Sequence, residues 1–174
     1  MPASPVPAAD RNRWLRLADS ALLDECREER YRASGPGGQR RNKVETAVRL
    51  THPASAVVSQ AEESRSLEEN RRRALHRLRK RIALYVRSPF ALEAPAPARE
   101  FAAYVGPGGA LAVNVRNPDY PLVLATVLDA LEAAAGSYAT AARALGTTTS
   151  QLLRFLRADR EVWRAISERT PRDL

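Results

Sequence analysis

The stretch from Ser66 to about Arg87 constrains this chain more than any other. Ser66 followed by Glu69 is a capping-box pattern, a hydroxyl and a carboxylate that close the first turn of a helix. Leu67, Arg71, Ala74, Leu75, Leu78, Ile82 and Tyr85 then recur at helical spacing and form one stripe. Arg72, Arg73, Arg77, Arg79, Lys80 and Arg81 crowd the remaining faces. A long amphipathic helix of this kind must lay its stripe on another apolar layer. Upstream, Glu28 to Ala33 and Val44 to His52 read as strands, the second through Val44, Thr46, Val48 and Leu50. Val57-Val58 marks a third after a turn at Pro53-Ala54-Ser55, and Ala18 to Cys26 reads as a short helix. The expected fold class is α+β, a small sheet with one long basic helix.

The charge is unevenly placed. The 174 residues carry a net charge of +8, with an isoelectric point near 10.5. Residues 1–98 hold 19 Lys/Arg against 12 Asp/Glu, whereas residues 99–174 hold 9 against 8. The first half therefore suits the field of a polyanion, nucleic acid above all, and the second does not. The change falls at residues 88–98, a Pro/Ala-rich stretch that reads as a semi-rigid linker. The expected organisation is a domain over 1–87, a linker over 88–98 and a second domain over 99–174.

That second domain is expected to be helical apart from a short strand at Leu111 to Val115. Tyr120 to Ala134 buries Leu124, Val127, Leu128 and Leu131 and stops at Gly136. Ser137 to Leu145 forms the next helix, Thr148 caps a third with Leu152, Leu153 and Leu156, and Arg160 to Glu168 forms a fourth with Trp163 and Ile166 inward. The turn Ala141-Ala142-x-x-Leu145-Gly146 resembles that of a helix-turn-helix, where small residues let two helices cross closely. On one reading Thr149, Ser150, Gln151 and Arg154 face nucleic acid, with Arg157 and Arg160 near phosphates. On the other this is a compact helical domain that happens to use this turn, or one that docks on protein.

Ser34-Gly-Pro-Gly-Gly-Gln-Arg-Arg-Asn-Lys43 sits between the first two strands. Gly and Pro together are ordinary turn punctuation, so Gly37-Gly38-Gln39 alone means little. It is raised by its place between two strands, by the flanking Arg32, Arg40, Arg41 and Lys43, and by the run Asn42-Lys43-x-x-x-Ala47-Val48-Arg49-Leu50-Thr51-His52 that follows. A second Gly-Pro-Gly-Gly at 106–109 leads to Ala110 without basic flanks and reads as a plain turn.

Arg32-Ala33-Ser34-Gly35-x-Gly37-Gly38-Gln39-x-x-Asn42-Lys43, then Ala47 to His52, then Arg65-Ser66-x-x-x-Asn70 with Ala74-Leu75, together resemble the catalytic domain of class I peptide chain release factors and their stand-alone ribosome-rescue relatives. The resemblance covers roughly Leu22 to Arg81. Arg40-Arg41, Ala56, Ser64 and Leu67 depart from the family's usual residues, Ala56 standing where a turn glycine is common. The resemblance implies hydrolysis of the peptidyl-tRNA ester in the peptidyl transferase centre, with Gly37, Gly38 and Gln39 as the catalytic residues. The glycines let the backbone approach the tRNA end closely, and the Gln39 N–H offers preorganised stabilisation of developing negative charge. The RNA surroundings handle the proton, so no protein general base is required. Arg32, Arg40, Arg41, Asn42, Lys43 and Arg49 around the loop, and Arg65, Arg72, Arg73, Arg77 and Lys80 on or beside the long helix, are the expected RNA contacts.

The release factors of this resemblance also carry a helical domain and a codon-reading domain, and about thirty residues before the loop accommodate neither. The rescue relatives end in a basic tail, which Ser-Glu-Arg-Thr-Pro-Arg-Asp-Leu174 does not match. The expectation is a cytoplasmic, monomeric, codon-independent peptidyl-tRNA hydrolase. Its partners are large-subunit rRNA and peptidyl-tRNA, with a further rRNA or protein contact through 99–174. The alternative is a non-catalytic ribosome- or RNA-binding protein, or a nucleic-acid-binding regulator using the helix-turn-helix. No metal, cofactor or membrane is expected: no apolar run is long enough for a membrane span, and no Cys/His cluster has ligand spacing. Cys26, the only cysteine, reads as a small, partly buried apolar residue. His52 and His76 read as satisfied surface or strand-edge residues.

Overall fold

The structure, a computed structural model, describes residues 7–32, 45–93 and 99–169. It forms two compact units, one over Ala9–Val86 and one built mainly from Arg87 onward. The first contains helices α1 (Ala8–Arg16) and α2 (Asp19–Asp24), strands β1 (Arg27–Tyr31), β2 (Ala47–His52) and β3 (Val57–Ala61), and helix α3 (Leu67–Tyr85). The strands form an antiparallel sheet in the order β1-β2-β3, with Tyr31 opposite Ala47 and Val48 opposite Ala61.

Strand periodicity and helix periodicity meet in one core. On β3, Val57, Ser59 and Ala61 are buried while Val58 and Gln60 are exposed; on β2, Val48, Leu50 and His52 are buried and Arg49 is exposed. Ala74, Leu75, Leu78 and Ile82 of α3 are buried on the matching stripe. Burying each of the larger three contributes roughly 2 kcal/mol. Small residues allow close approach where Ser59 Oγ donates to the Ala74 carbonyl at 2.8 Å. The Ser66 hydroxyl accepts from the Glu69 N–H at 3.3 Å, so the expected cap forms. The ends of the predicted stripe behave differently: Arg71 is half-buried against Glu28, and Tyr85, the last helical residue, is exposed.

Asn70 is fully buried at the start of α3. Its Nδ2 donates to the Thr46 carbonyl at 2.7 Å and to the Ser64 carbonyl at 2.8 Å, and its Oδ1 accepts from the Ser64 N–H at 2.9 Å. One amide thereby joins the residue before β2, the connection into α3 and α3 itself.

His52 departs from the surface or strand-edge expectation. It is completely buried, and α1 brings Trp14 against its ring edge-on, with centroids 4.8 Å apart. The Ser55 N–H, which can only donate, bonds His52 Nδ1 at 3.2 Å, and that places the ring proton on Nε2. Nε2 lies 3.5 Å from Glu25, too far for a good hydrogen bond, while Arg13 holds Glu25 by two contacts of 2.6 and 3.1 Å. Burial outweighs Glu25 and lowers the pKa of His52. Ala56, at the position where a turn glycine is common, adopts a left-handed φ of 55° after the short turn Pro53–Ser55.

The second unit holds α4 (Arg99–Ala102), α5 (Tyr120–Ala133), α6 (Tyr138–Ala144), α7 (Thr149–Arg157) and α8 (Arg160–Arg169). Leu122 to Ala125, Val127, Leu128, Ala130 and Leu131 are all buried, so α5 is central rather than amphipathic. Its buried Asp129 pairs with Arg87 at 3.1 Å and accepts from the Ser88 N–H at 3.0 Å. Schellman-type bonds end α5 and α6, from Gly136 N–H to Leu131 and from Thr147 N–H to Ala142. Thr148 caps α7 by accepting from the Gln151 N–H. Residues 111–115 form no strand; Leu111 makes only a single bridge to Val105. On α7 Phe155 joins Leu152 and Leu156 inside, with Leu153 half-buried, and on α8 Val162 accompanies Ile166 while Trp163 is half-buried. The second Gly-Pro-Gly-Gly is a turn packed on the α6–α7 junction. A Cβ on Gly109, whose φ is 76°, would lie 3.1 Å from Thr147 Cα, and the Thr147 hydroxyl donates to the Gly109 carbonyl.

These contacts have measurable consequences. Asn70→Leu should cost roughly 3 kcal/mol in chemical denaturation, because three backbone groups lose their partner together. The folded-state pKa of His52 lies below its unfolded value of 6.5, so the unfolded chain protonates first as pH falls. This contribution to stability is complete above about pH 6.5 and declines below it. Thermal melts from pH 7.5 to 5 should therefore show a falling Tm, and His52→Asn should flatten that part of the profile.

Candidate nucleic-acid interface

Arginines dominate the exposed surface of the first unit, and geometry sorts them. Arg71 bonds Glu28 at 2.7 and 3.0 Å and also Glu68, which raises its own pKa and lowers that of Glu28. Arg77 donates to the Gln60 carbonyl at 2.8 Å and pairs with Glu63, and Arg81 donates to the Val58 carbonyl. These occupy alternate acceptors of the edge strand β3 and so discourage pairing with a foreign strand. Arg79 bonds Asp19 and the Leu17 carbonyl. All four tie α3 to its own sheet or to the segment before it.

Other basic residues are held less firmly. Arg72 and Arg73 share Glu69, one and a little over one turn away along the surface of α3, at 2.8 Å each. Solvent-facing pairs of this kind are worth little and exchange readily for an external anion. Arg65 is exposed and has no ion pair or side-chain hydrogen bond among the described residues. Lys80 is half-buried on α3. Arg49 projects from the outer face of β2, 3.6 Å from Glu29 and above the Tyr31 ring at 5.4 Å. Arg32 follows β1 and faces Glu45 at 3.6 Å. Of the expected RNA contacts, Arg77 is thus engaged in the fold, while Arg65, Arg72, Arg73, Arg49 and Arg32 lie exposed.

Gly37, Gly38 and Gln39, with Arg40, Arg41, Asn42 and Lys43, lie outside the described residues. What is described is the base of their segment. Tyr31 and Ala47 face each other across the β1–β2 ladder, and Asn70 holds Thr46 from beneath. The motif therefore spans two strand ends fixed side by side on a sheet braced by α3. Asn70 belongs to the block of residues that carried the family resemblance, but its bracing depends on a bond across 24 positions that no spacing rule reveals.

In the second unit Thr149, Ser150 and Arg154 are exposed at α7 and Gln151 is half-buried. Arg157 stacks over Trp163 of α8, 4.8 Å from the ring centroid. Cys26 is half-buried, and burial pushes its thiol up to about 11, which leaves it unreactive at neutral pH. No group of His, Cys, Asp or Glu that could hold a metal ion occurs among the described residues, and no helix among them is long and apolar enough to cross a membrane.

Comparison with known proteins agrees with this layout. Residues 22–100 match the RF-1 domain. The chain is 46% identical over 59 residues to peptide chain release factor 1 of Chloroherpeton thalassium, a stretch that is 34% of this chain and 16% of that protein. It is 46% identical over 61 residues to peptide chain release factor 1 of Lacticaseibacillus casei, 35% of this chain and 17% of that protein. It is 48% identical over 58 residues to peptide chain release factor 2 of Acidovorax sp. strain JS42, 33% and 16% respectively. The matched stretch is about a sixth of the length of these curated relatives. Residues 22–100, which hold the three-stranded sheet and the long basic helix, are accordingly similar to the RF-1 domain.

Proposed function

We propose that this chain hydrolyses the ester of peptidyl-tRNA on the ribosome without reading a codon, presenting Gly37-Gly38-Gln39 to the peptidyl transferase centre. The observation that carries the reading is the location of this motif within the matched domain, between strand ends locked side by side at Tyr31 and Ala47. Hydrolysis in an RNA site asks little of the protein beyond placing one backbone donor and excluding bulk. Glycine at 37 and 38 lets the chain pass close to the tRNA end, and the Gln39 N–H stabilises charge developing on the departing or carbonyl oxygen. A short catalytic segment needs a stiff base, and the β1–β2 ladder with the Asn70 clamp supplies one. The codon-independent form of the reading rests on the helical unit that follows the domain in this chain, in which the described elements are helices and turns. Arg65, Arg72, Arg73, Arg49 and Arg32 are the rRNA contacts in this reading, because they are the expected contacts with exposed, weakly held guanidiniums. The likeness to release factors 1 and 2 supports a role in translation termination or rescue, and the setting is the cytoplasm.

A second reading, a ribosome-binding protein with an inactive loop, makes a different prediction for the same assay. With ribosomes stalled on mRNA lacking a stop codon, the chain should release peptide, and Gly38→Ala should slow release by about 10²–10³-fold, the scale of removing one oxyanion donor. Release that is absent, or equal in both forms, rejects hydrolysis. The sorting of arginines is tested separately. Arg65→Gln with Arg72→Gln and Arg73→Gln should weaken ribosome co-sedimentation with an unchanged Tm, whereas Arg71→Gln should lower the Tm by removing a half-buried, doubly bonded ion pair.

A further inference from the structure

The second unit has a charge pattern that its small net charge conceals. Between Glu132 and Asp159 the chain contains no acid and three arginines, Arg143, Arg154 and Arg157, and Arg160 follows at once. Arg154 and Arg157 are three apart on α7, so they are neighbours on one face. Arg157 reaches Trp163 on α8, and Arg160 lies one turn before Trp163 on that helix. These relations make Arg154, Arg157 and Arg160 a continuous patch across the α7–α8 junction. All three are exposed, and none has an ion pair or side-chain hydrogen bond among the described residues. The contrast with α3 is physical: there most guanidiniums are bound by carboxylates or carbonyls, and here none has such a partner among the described residues.

Asp159 and Glu161, the acids on either side of Arg160, are engaged within the unit. Asp159 Oδ1 accepts the Glu161 and Val162 N–H groups as the cap of α8. Both Asp159 and Glu161 act on the buried Tyr120, whose pKa they raise together with burial. We propose that Arg154, Arg157 and Arg160 form a binding site for the phosphate backbone of an RNA helix, held in register by the stacking of Arg157 on Trp163. Guanidinium is the side chain best matched to phosphate oxygens. A protein partner fits less well, because among the described residues the exposed large apolar side chains are Val58 and Tyr85, both in the first unit, and a protein interface needs an apolar centre. The choice of RNA rests on the ribosomal reading above; the phosphate chemistry does not.

The test is a salt series on the full chain, measuring binding to a short RNA duplex and to isolated large ribosomal subunits. Combining Arg154→Gln, Arg157→Gln and Arg160→Gln should reduce the slope of log K against log salt by about 2–3, close to one for each phosphate that is no longer neutralised. The corresponding triple lysine variant should keep most of the slope. If the glutamine variant melts early, the single Arg154→Gln change, with an expected reduction of about 1, carries the test. An unchanged slope on both RNA probes overturns the proposal, as does an effect confined to a DNA duplex of the same sequence. The readout is binding, so it can fail with release intact, and release can fail with it intact.

Discussion

The first unit depends on one buried amide. Asn70 gives both Nδ2 hydrogens to carbonyls and receives a backbone N–H on Oδ1, so each polar atom of the side chain is engaged inside the fold. The groups it satisfies belong to segments that are remote in sequence. Hydrophobic contact alone would let α3 slide or rotate on the sheet, since apolar burial is non-directional. The amide removes that freedom at the end of α3 nearest the base of the Gly-Gly-Gln segment. The position of the segment proposed to be catalytic therefore derives from a residue that takes no part in the chemistry.

Arginine serves two purposes in this protein, and the difference lies in what each guanidinium faces. Arg71, Arg77, Arg79 and Arg81 point at carboxylates and backbone carbonyls and act as fastenings between α3 and its surroundings. Arg72 and Arg73 face a single glutamate at the helix surface, and Arg65 and Arg154 face solvent. The two sets share faces of α3, Arg73 and Arg77 being four apart, so what separates them is the acceptor within reach of each guanidinium. Net charge does not separate these roles. The first half is strongly positive although many of its arginines are engaged, and the second is nearly neutral although Arg154, Arg157 and Arg160 are exposed on α7 and α8.

The second unit repeats the principle that local rules form the elements and tertiary contacts decide their use. The Schellman bond that ends α6 and the Thr148 cap follow directly from Gly146 and Thr148, whereas at the end of α5 Ala135 takes the left-handed conformation before Gly136. The packing of Gly109 on Thr147 comes from two segments meeting, and it gives the second Gly-Pro-Gly-Gly a job wholly unlike that proposed for the first.

Much of this was legible in the sequence by itself. The α+β class, the capped long helix, the strands on either side of the glycine-rich segment and the helices from Tyr120 onward all arise from periodicity and capping, which act within a few residues. The likeness of residues 22 to 81 to release factors was legible too, since several short blocks agree in order and spacing. What only the tertiary structure decided depends on contacts between distant residues: the burial of His52 under Trp14, the full burial of Val162 beside a half-buried Trp163, the loss of the expected strand at 111–115, and the division of arginines between fastening and exposure. Charge, hydropathy and spacing are properties of single residues and near neighbours. Whether a guanidinium meets a carboxylate or open solvent is settled by segments dozens of positions away, and that is where the fold assigned its roles.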